Sequence, residues 1–205
     1  ASIDGKPRYD GVRSFLEARG ISLPEGDPSD APGNETVCAM GNHKDELFNR
    51  FLADGVVPYV GTMALLDHLD RLGLPQAIVS SSKNAREVLA TADLGTRFPF
   101  VVDGRTAVEE QLPGQPHPAM FLRAAELLEV APARAVVVDD AVSGVEAGVA
   151  GEFGLVLAVN RGGNAEALAD AGAHLITNDL GLTLTPASSG ADRSSPGTHL
   201  PTENA

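Results

Sequence analysis

Two places in this sequence end an apolar run with residues that could handle a phosphate ester. At the first, "QAIV" runs into "SSSKN", Ser80 to Asn84. A hydroxyl at a strand end, followed by a helix start with a lysine, makes a phosphate cradle, because backbone N–H groups, the helix dipole and an ammonium group converge on one anion. The alternative is that these serines only cap the helix beginning near Lys83. At the second, "VVV" runs into Asp139 and Asp140. Adjacent carboxylates repel each other unless something positive sits between or beside them, and an oxygen-only pair suits Mg2+. Here the alternative is that one acid caps the next helix while the other faces solvent.

The elements that must carry these residues follow from hydrophobic periodicity. Residues 1–57 read as helical, with "RYDGVRSFLEARG" placing Val12, Phe15, Leu16 and Arg19 on one face and Gly20 stopping the helix. After the turn-rich "SLPEGDPSDAPGN", a second helix puts Val37, Met40, Lys44, Leu47, Phe48 and Phe51 on roughly one face. Residues 58–182 alternate helices with the short strands "QAIVS", "FPFVVD", "ARAVVVDD", "LVLAVN" and "HLITND". That pattern predicts an α/β fold, a Rossmann-like parallel sheet covered on both faces. Ligands of such sheets bind beyond the carboxyl ends of the strands, where both phosphate-handling segments lie. Residues 183–205, rich in Ser, Pro, Gly and Thr, read as a disordered tail.

Composition narrows the function classes. The 205-residue chain carries 15 basic and 28 acidic residues, a formal charge of −13, so long-range forces oppose nucleic acid and anionic membranes. A locally positive pocket stays compatible with that balance. No run is long enough to span a bilayer, no signal peptide is evident, and the single cysteine, Cys38, excludes an internal disulfide and fits a cytoplasmic setting. The expected partner is a small molecule, bound by a monomer or weak dimer. His43, His68, His117, His174 and His199 show no ligand spacing. The glycines of "GVEAGVAGEFG" do not follow a strand at dinucleotide spacing, and "SSSK" stands in the wrong context for the Ser-x-x-Lys of penicillin-recognising enzymes.

Taken together, "IVSSSKN", "GQPHPAMFLRAAELL" and "VVVDDAVSGVEAGVAGEFGLVLAVNRGG" resemble motifs II, III and IV of the haloacid dehalogenase superfamily, in its β-phosphoglucomutase-like branch. Order, spacing and strand context agree from about Asp4 to Asp179. The resemblance implies that residues 1–57 form a small, N-terminally incomplete α-helical cap over a phosphotransferase core. It implies that Asp140 ligates Mg2+ directly and that Asp139 acts through metal-bound water. Ser80 would donate to the transferring phosphoryl group, with Ser81, Lys83 and Asn84 holding phosphate nearby. Arg8, in "GKPRYDGV", matches the cap arginine for a distal phosphate, and Lys44 matches a second cap cation.

Two departures accompany the likeness. The family's nucleophile, the first aspartate of a D-x-D motif on a central strand before the cap, has no counterpart here, and the chain begins with Ala rather than Met. Without that strand the sheet should divide into two halves with unpaired inner edges, as in a piece of a longer protein or in a decayed relative. Gln115 stands where motif III normally has a lysine, so a hydrogen-bond donor remains but a cation is lost. The expected function is Mg2+-dependent phosphoryl transfer, as a phosphatase or phosphomutase, on a small sugar phosphate through an aspartyl phosphate. The alternatives are a non-enzymatic phosphosugar- or metal-binding relative and a phosphoacceptor receiver domain. The cap argues against the receiver domain.

Overall fold

The computed structural model describes residues 6–184. Two helices come first, α1 (Arg8–Glu17) and α2 (Val37–Ala53). There follow α3 (Val60–Arg71), β1 (Ala77–Val79), α4 (Ala85–Thr91), β2 (Phe100–Val102) and α5 (Gly104–Glu109). The chain continues through α6 (Ala119–Leu127), β3 (Val136–Asp139), α7 (Val142–Ala150), β4 (Leu155–Val159), α8 (Ala165–Asp170) and β5 (Leu175–Thr177). A 3-10 turn, Leu180–Leu184, closes the described part, so the boundary expected at residue 182 falls inside it; the rest of the expected tail lies outside the described residues. Helix α5 is an element the periodicity did not reveal.

All strand pairs are parallel, in two sheets ordered β1-β2 and β3-β4-β5. The expected division into halves is what is observed: β1 and β3 are not paired with each other, and each keeps one edge without a strand partner among the described residues. A shared core joins the halves. Val145, Val156 and Leu168 are fully buried with Phe121 and Val137, and Val79 of β1 packs against the same cluster. Burying each such aliphatic side chain contributes about 1.5–3 kcal/mol, so the halves hold together without a hydrogen-bond ladder between them.

Coverage of the sheet is uneven, unlike the expected two-sided burial. Val137 is buried, and α7 packs against β3 and β4. On the other side, Leu65 of α3 and Leu180 cover Leu157 and Val159 of β4. They stop short of β3, whose Val136 and Val138 are 55% and 41% exposed.

The N-terminal helices form a second, smaller core of Val12, Leu16 and Val37, with Tyr9, Phe15 and Leu23 against it. Thr36 starts α2 by accepting the Ala39 N–H at 3.0 Å. The expected apolar stripe of α2 is only partly used. Val37, Cys38, Ala39 and Gly41 are buried, whereas Met40, Leu47, Phe48 and Phe51 are exposed. The reason is length: α1, at 10 residues, reaches only the first turns of the 17-residue α2. Among the described residues, no helix is long and apolar enough to cross a membrane.

Candidate active site

The Ser80–Asn84 loop is fastened to the turn between β2 and α5. The Ser80 N–H donates to the Val102 carbonyl at 3.0 Å, and the Gly104 N–H donates to the Ser82 carbonyl at 3.1 Å. Gly104 is required here, since a Cβ would lie 2.6 Å from the Ser81 carbonyl oxygen and 3.0 Å from the Lys83 nitrogen. Beside it, fully buried Asp103 caps α5 by accepting the Arg105 and Thr106 N–H groups, and takes Arg86 Nε at 2.9 Å. Burial pushes its pKa up, but the Thr106 N–H and hydroxyl together with the Arg86 charge more than offset this and leave it below the ordinary value. The serines do not cap α4 with a side chain. Instead the Ser82 N–H donates to Ser80 Oγ at 3.2 Å and the Asn84 N–H to Ser82 Oγ at 3.1 Å, folding the loop on itself.

The N-terminal helices meet this loop across a cleft of about 530 Å3. Gly41 lets α1 lie close on α2, because a Cβ there would meet the Tyr9 ring at 2.7 Å. That crossing sets Arg8, the first residue of α1, beside the next turn of α2. Arg8, Lys44, Ser80, Ser81, Lys83 and Asn84 all line the cleft, as does Lys6. The acidic chain thus gathers four cations on one concavity, the locally positive pocket its overall charge permits. One anion interrupts them. Arg8 Nη2 and Asn84 Nδ2 each donate to Oδ1 of Asp45, both at 2.6 Å.

At the end of β3, Asp139 turns into a crowded corner. Its Oδ1 accepts the Ala141 N–H at 2.8 Å, and the nearby Gln115 side chain favours the charged form of the same carboxyl group. Gln115, itself 5% exposed, accepts at long range from Ser81 Oγ, 3.5 Å away. A Cβ on Gly144 would collide with the Asp139 carboxyl, so the first turn of α7 carries a glycine at this contact. Desolvation, helped by the charge of Asp140, raises Asp139 to about 6, while hydrogen bonds from the Ala141 and Asp140 N–H groups and from Gln115 pull the other way. Asp140 lies outward, 57% exposed and 3.7 Å from Arg161 Nε. Arg161 is itself held over the Tyr59 ring, 3.6 Å from its centroid, and donates to Thr62 Oγ1 at 3.3 Å.

The predicted residues therefore form two groups. Arg8, Lys44, Ser80, Ser81, Lys83 and Asn84 share the cleft; Asp139 and Asp140 stand at the other strand end; Gln115 lies between, accepting from Ser81 and influencing the Asp139 carboxyl. Ser80 makes no side-chain bond to either acid, its Oγ being turned onto its own loop. Sequence reasoning missed Lys6, Asp45, Asp103 and Arg161. Of these only Asp103, a strand-end acid before "GRT", carried a legible capping signal. Two histidines serve as backbone acceptors: His174 Nδ1 accepts the Val156 N–H at 3.0 Å and His117 Nδ1 the Ala119 N–H at 3.2 Å.

The acid pair suits a hard divalent cation. Asp139 is a carboxyl that desolvation holds against ionisation, beside a second acid, and an ion would relieve both costs. Among the described residues no cluster of three or more His, Cys, Asp or Glu side chains surrounds it. Two carboxylates with water and phosphate oxygens completing the shell is the ligation Mg2+ favours.

The family model for haloacid dehalogenase-like hydrolases matches residues 6–151. A β-phosphoglucomutase of Mycobacterium tuberculosis is 46% identical over 182 residues, 87% of this chain and 70% of its own length. Among solved structures, a β-phosphoglucomutase from Clostridium difficile superposes with a TM-score of 0.67 at 21% identity, covering 88% of this chain and 74% of that one. A hydrolase of the same superfamily from Deinococcus radiodurans, solved with bound phosphate and sodium, gives a TM-score of 0.61 at 26% identity, over 88% of this chain and 74% of that one. The chain belongs to the haloacid dehalogenase-like hydrolases, in their β-phosphoglucomutase-like branch.

Proposed function

We propose that this chain supplies the cap, phosphate cleft and metal-binding carboxylates of a Mg2+-dependent phosphotransferase acting on a small phosphorylated sugar. The observation that carries the reading is the cleft in which Arg8, Lys44, Lys83 and Asn84 from cap and core face one cavity, tied through Ser81 and Gln115 to Asp139. A sugar bearing phosphate at one end is recognised there by Arg8, Lys44 and Asn84. Its reacting phosphoryl group lies toward β3, where the Ser80 hydroxyl donates to it. Asp139 and Asp140 would hold Mg2+, which when bound neutralises phosphoryl charge. The attacking carboxylate belongs to a strand seated between β1 and β3, outside this chain, and forms an aspartyl phosphate. Transfer to water makes the protein a phosphatase. Transfer back to the sugar makes it a mutase, which the cap assists by excluding water.

Gln115 favours a second reading, a binding protein without turnover, because its amide is already committed to Ser81 and Asp139 and brings no positive charge to the reacting end. Phosphate release and sugar-phosphate isomerisation, measured with Mg2+ on this chain and on an N-terminally extended form carrying a D-x-D strand, test both. Turnover by the extended form alone is expected. Phosphosugar binding with no turnover in the extended form overturns catalysis in favour of the second reading.

A further inference from the structure

The cleft contains its own anion. Asp45 sits on the cap wall, one residue after Lys44, with a quarter of its side chain exposed. A single oxygen of this carboxylate receives both Arg8 Nη2 and Asn84 Nδ2, at 2.6 Å each. One donor comes from the cap and the other from the core. Meanwhile Lys44 and Lys83, on the same cleft, have no ion pair among the described residues. The two groups best shaped for a planar or tetrahedral oxyanion are thus engaged, while the two flexible point charges are left for solvent.

We infer that Asp45 is a specificity-determining residue that occupies the seat of the ligand's distal phosphate and must be displaced before that phosphate binds. This rests on the phosphosugar reading of the cleft. A weak anion such as a carboxylate cannot both break two charge-assisted bonds and sit beside the displaced Asp45 charge. A phosphate dianion, with more charge and more acceptor oxygens for Arg8, Asn84, Lys44 and Lys83, can. The internal carboxylate therefore raises the threshold for entry and restricts the cleft to ligands bearing a full phosphate at that end. It also bridges cap to core when the cleft is empty, so that exchange of Asp45 for phosphate transfers the bridge to the ligand.

The test is calorimetric binding of inorganic phosphate and of acetate to this chain, to Asp45→Asn and to Arg8→Ala, with circular dichroism melts to verify folding. Asp45→Ser replaces Asp45→Asn if the latter does not fold. The expected result is that Asp45→Asn binds phosphate about tenfold more tightly and gains measurable acetate binding, while Arg8→Ala loses phosphate affinity. Unchanged or weaker phosphate binding in Asp45→Asn, with Arg8→Ala still impaired, overturns the inference and leaves the phosphate cleft standing, with Asp45 merely bracing it. Phosphate binding that is absent throughout, or indifferent to Arg8→Ala, overturns the cleft reading and this inference together.

Discussion

The two ends of the site solve opposite electrostatic problems. At the cap end, cations from α1, α2 and the β1–α4 loop converge, and the structure tempers them with the single carboxylate of Asp45. At the β3 end, two acids meet in a corner that desolvates one of them; the buried acid takes the Ala141 N–H and has the uncharged Gln115 nearby, while Arg161 reaches the outer one. On the proposed reading, the positive end would take an anion in exchange for Asp45, whereas the negative end would need a cation, and a phosphate ester would draw on both.

The largest effect expected is at the acidic end. Asp139→Asn in the N-terminally extended form should lower kcat on the order of a thousandfold, since it removes one of the two carboxylates proposed to hold the ion beside the transferring group; steady-state kinetics with a Mg2+ series checks this, and added metal should not restore the rate. Gln115→Lys tests the missing charge from the other direction. It should raise kcat by up to about a hundredfold, through roughly 3 kcal/mol of added stabilisation, unless the second reading holds. Arg8→Ala addresses the positive end, where about 2 kcal/mol of charge-assisted bonding is at stake. Its expected mark is a KM raised about thirtyfold with kcat little changed.

The smallest effect lies in pH dependence. Asp139 holds its proton up to about 6 when folded, against 3.8 as the ordinary value. The folded chain then binds more protons than the unfolded chain between these limits, so stability is greatest below about 4 as far as this group is concerned and falls as pH rises through 6. Thermal melts without metal should show that decline in the native chain and lose it in Asp139→Asn, and Mg2+ should stabilise more above pH 6 than below it. A decline of equal size in both chains would assign it to other groups.

Much of this molecule could be read along the chain because its signals are local. The runs around Ile78, Val137 and Val156 became parallel strands, and the acids and serines stood at strand ends because a parallel sheet delivers its loops there. Even the division between β1 and β3 followed from counting which strand the family places between them. What could not be read depends on which element lies across from which. An Asp beside a Lys in a helix looks solvated, and nothing near Asp45 announces that Arg8 and Asn84 converge on it from 37 and 39 residues away. The stripe ending in Phe51 looked like core because periodicity records a face but not the length of its partner. Gln115 could be recognised as a substitution, yet its bridging role required knowing that Ser81 and Asp139 flank it.

The fastening of the Ser80–Asn84 loop to Val102 and Gly104, with Asp103 locked to Arg86 beneath it, has a thermodynamic corollary. A loop already held at both ends has little configurational freedom left to surrender, so anion capture there should release heat with only a small heat-capacity change. Most of the ordering on ligation would then fall on the two cap helices, and amide exchange should slow in them while the loop's own rates barely alter.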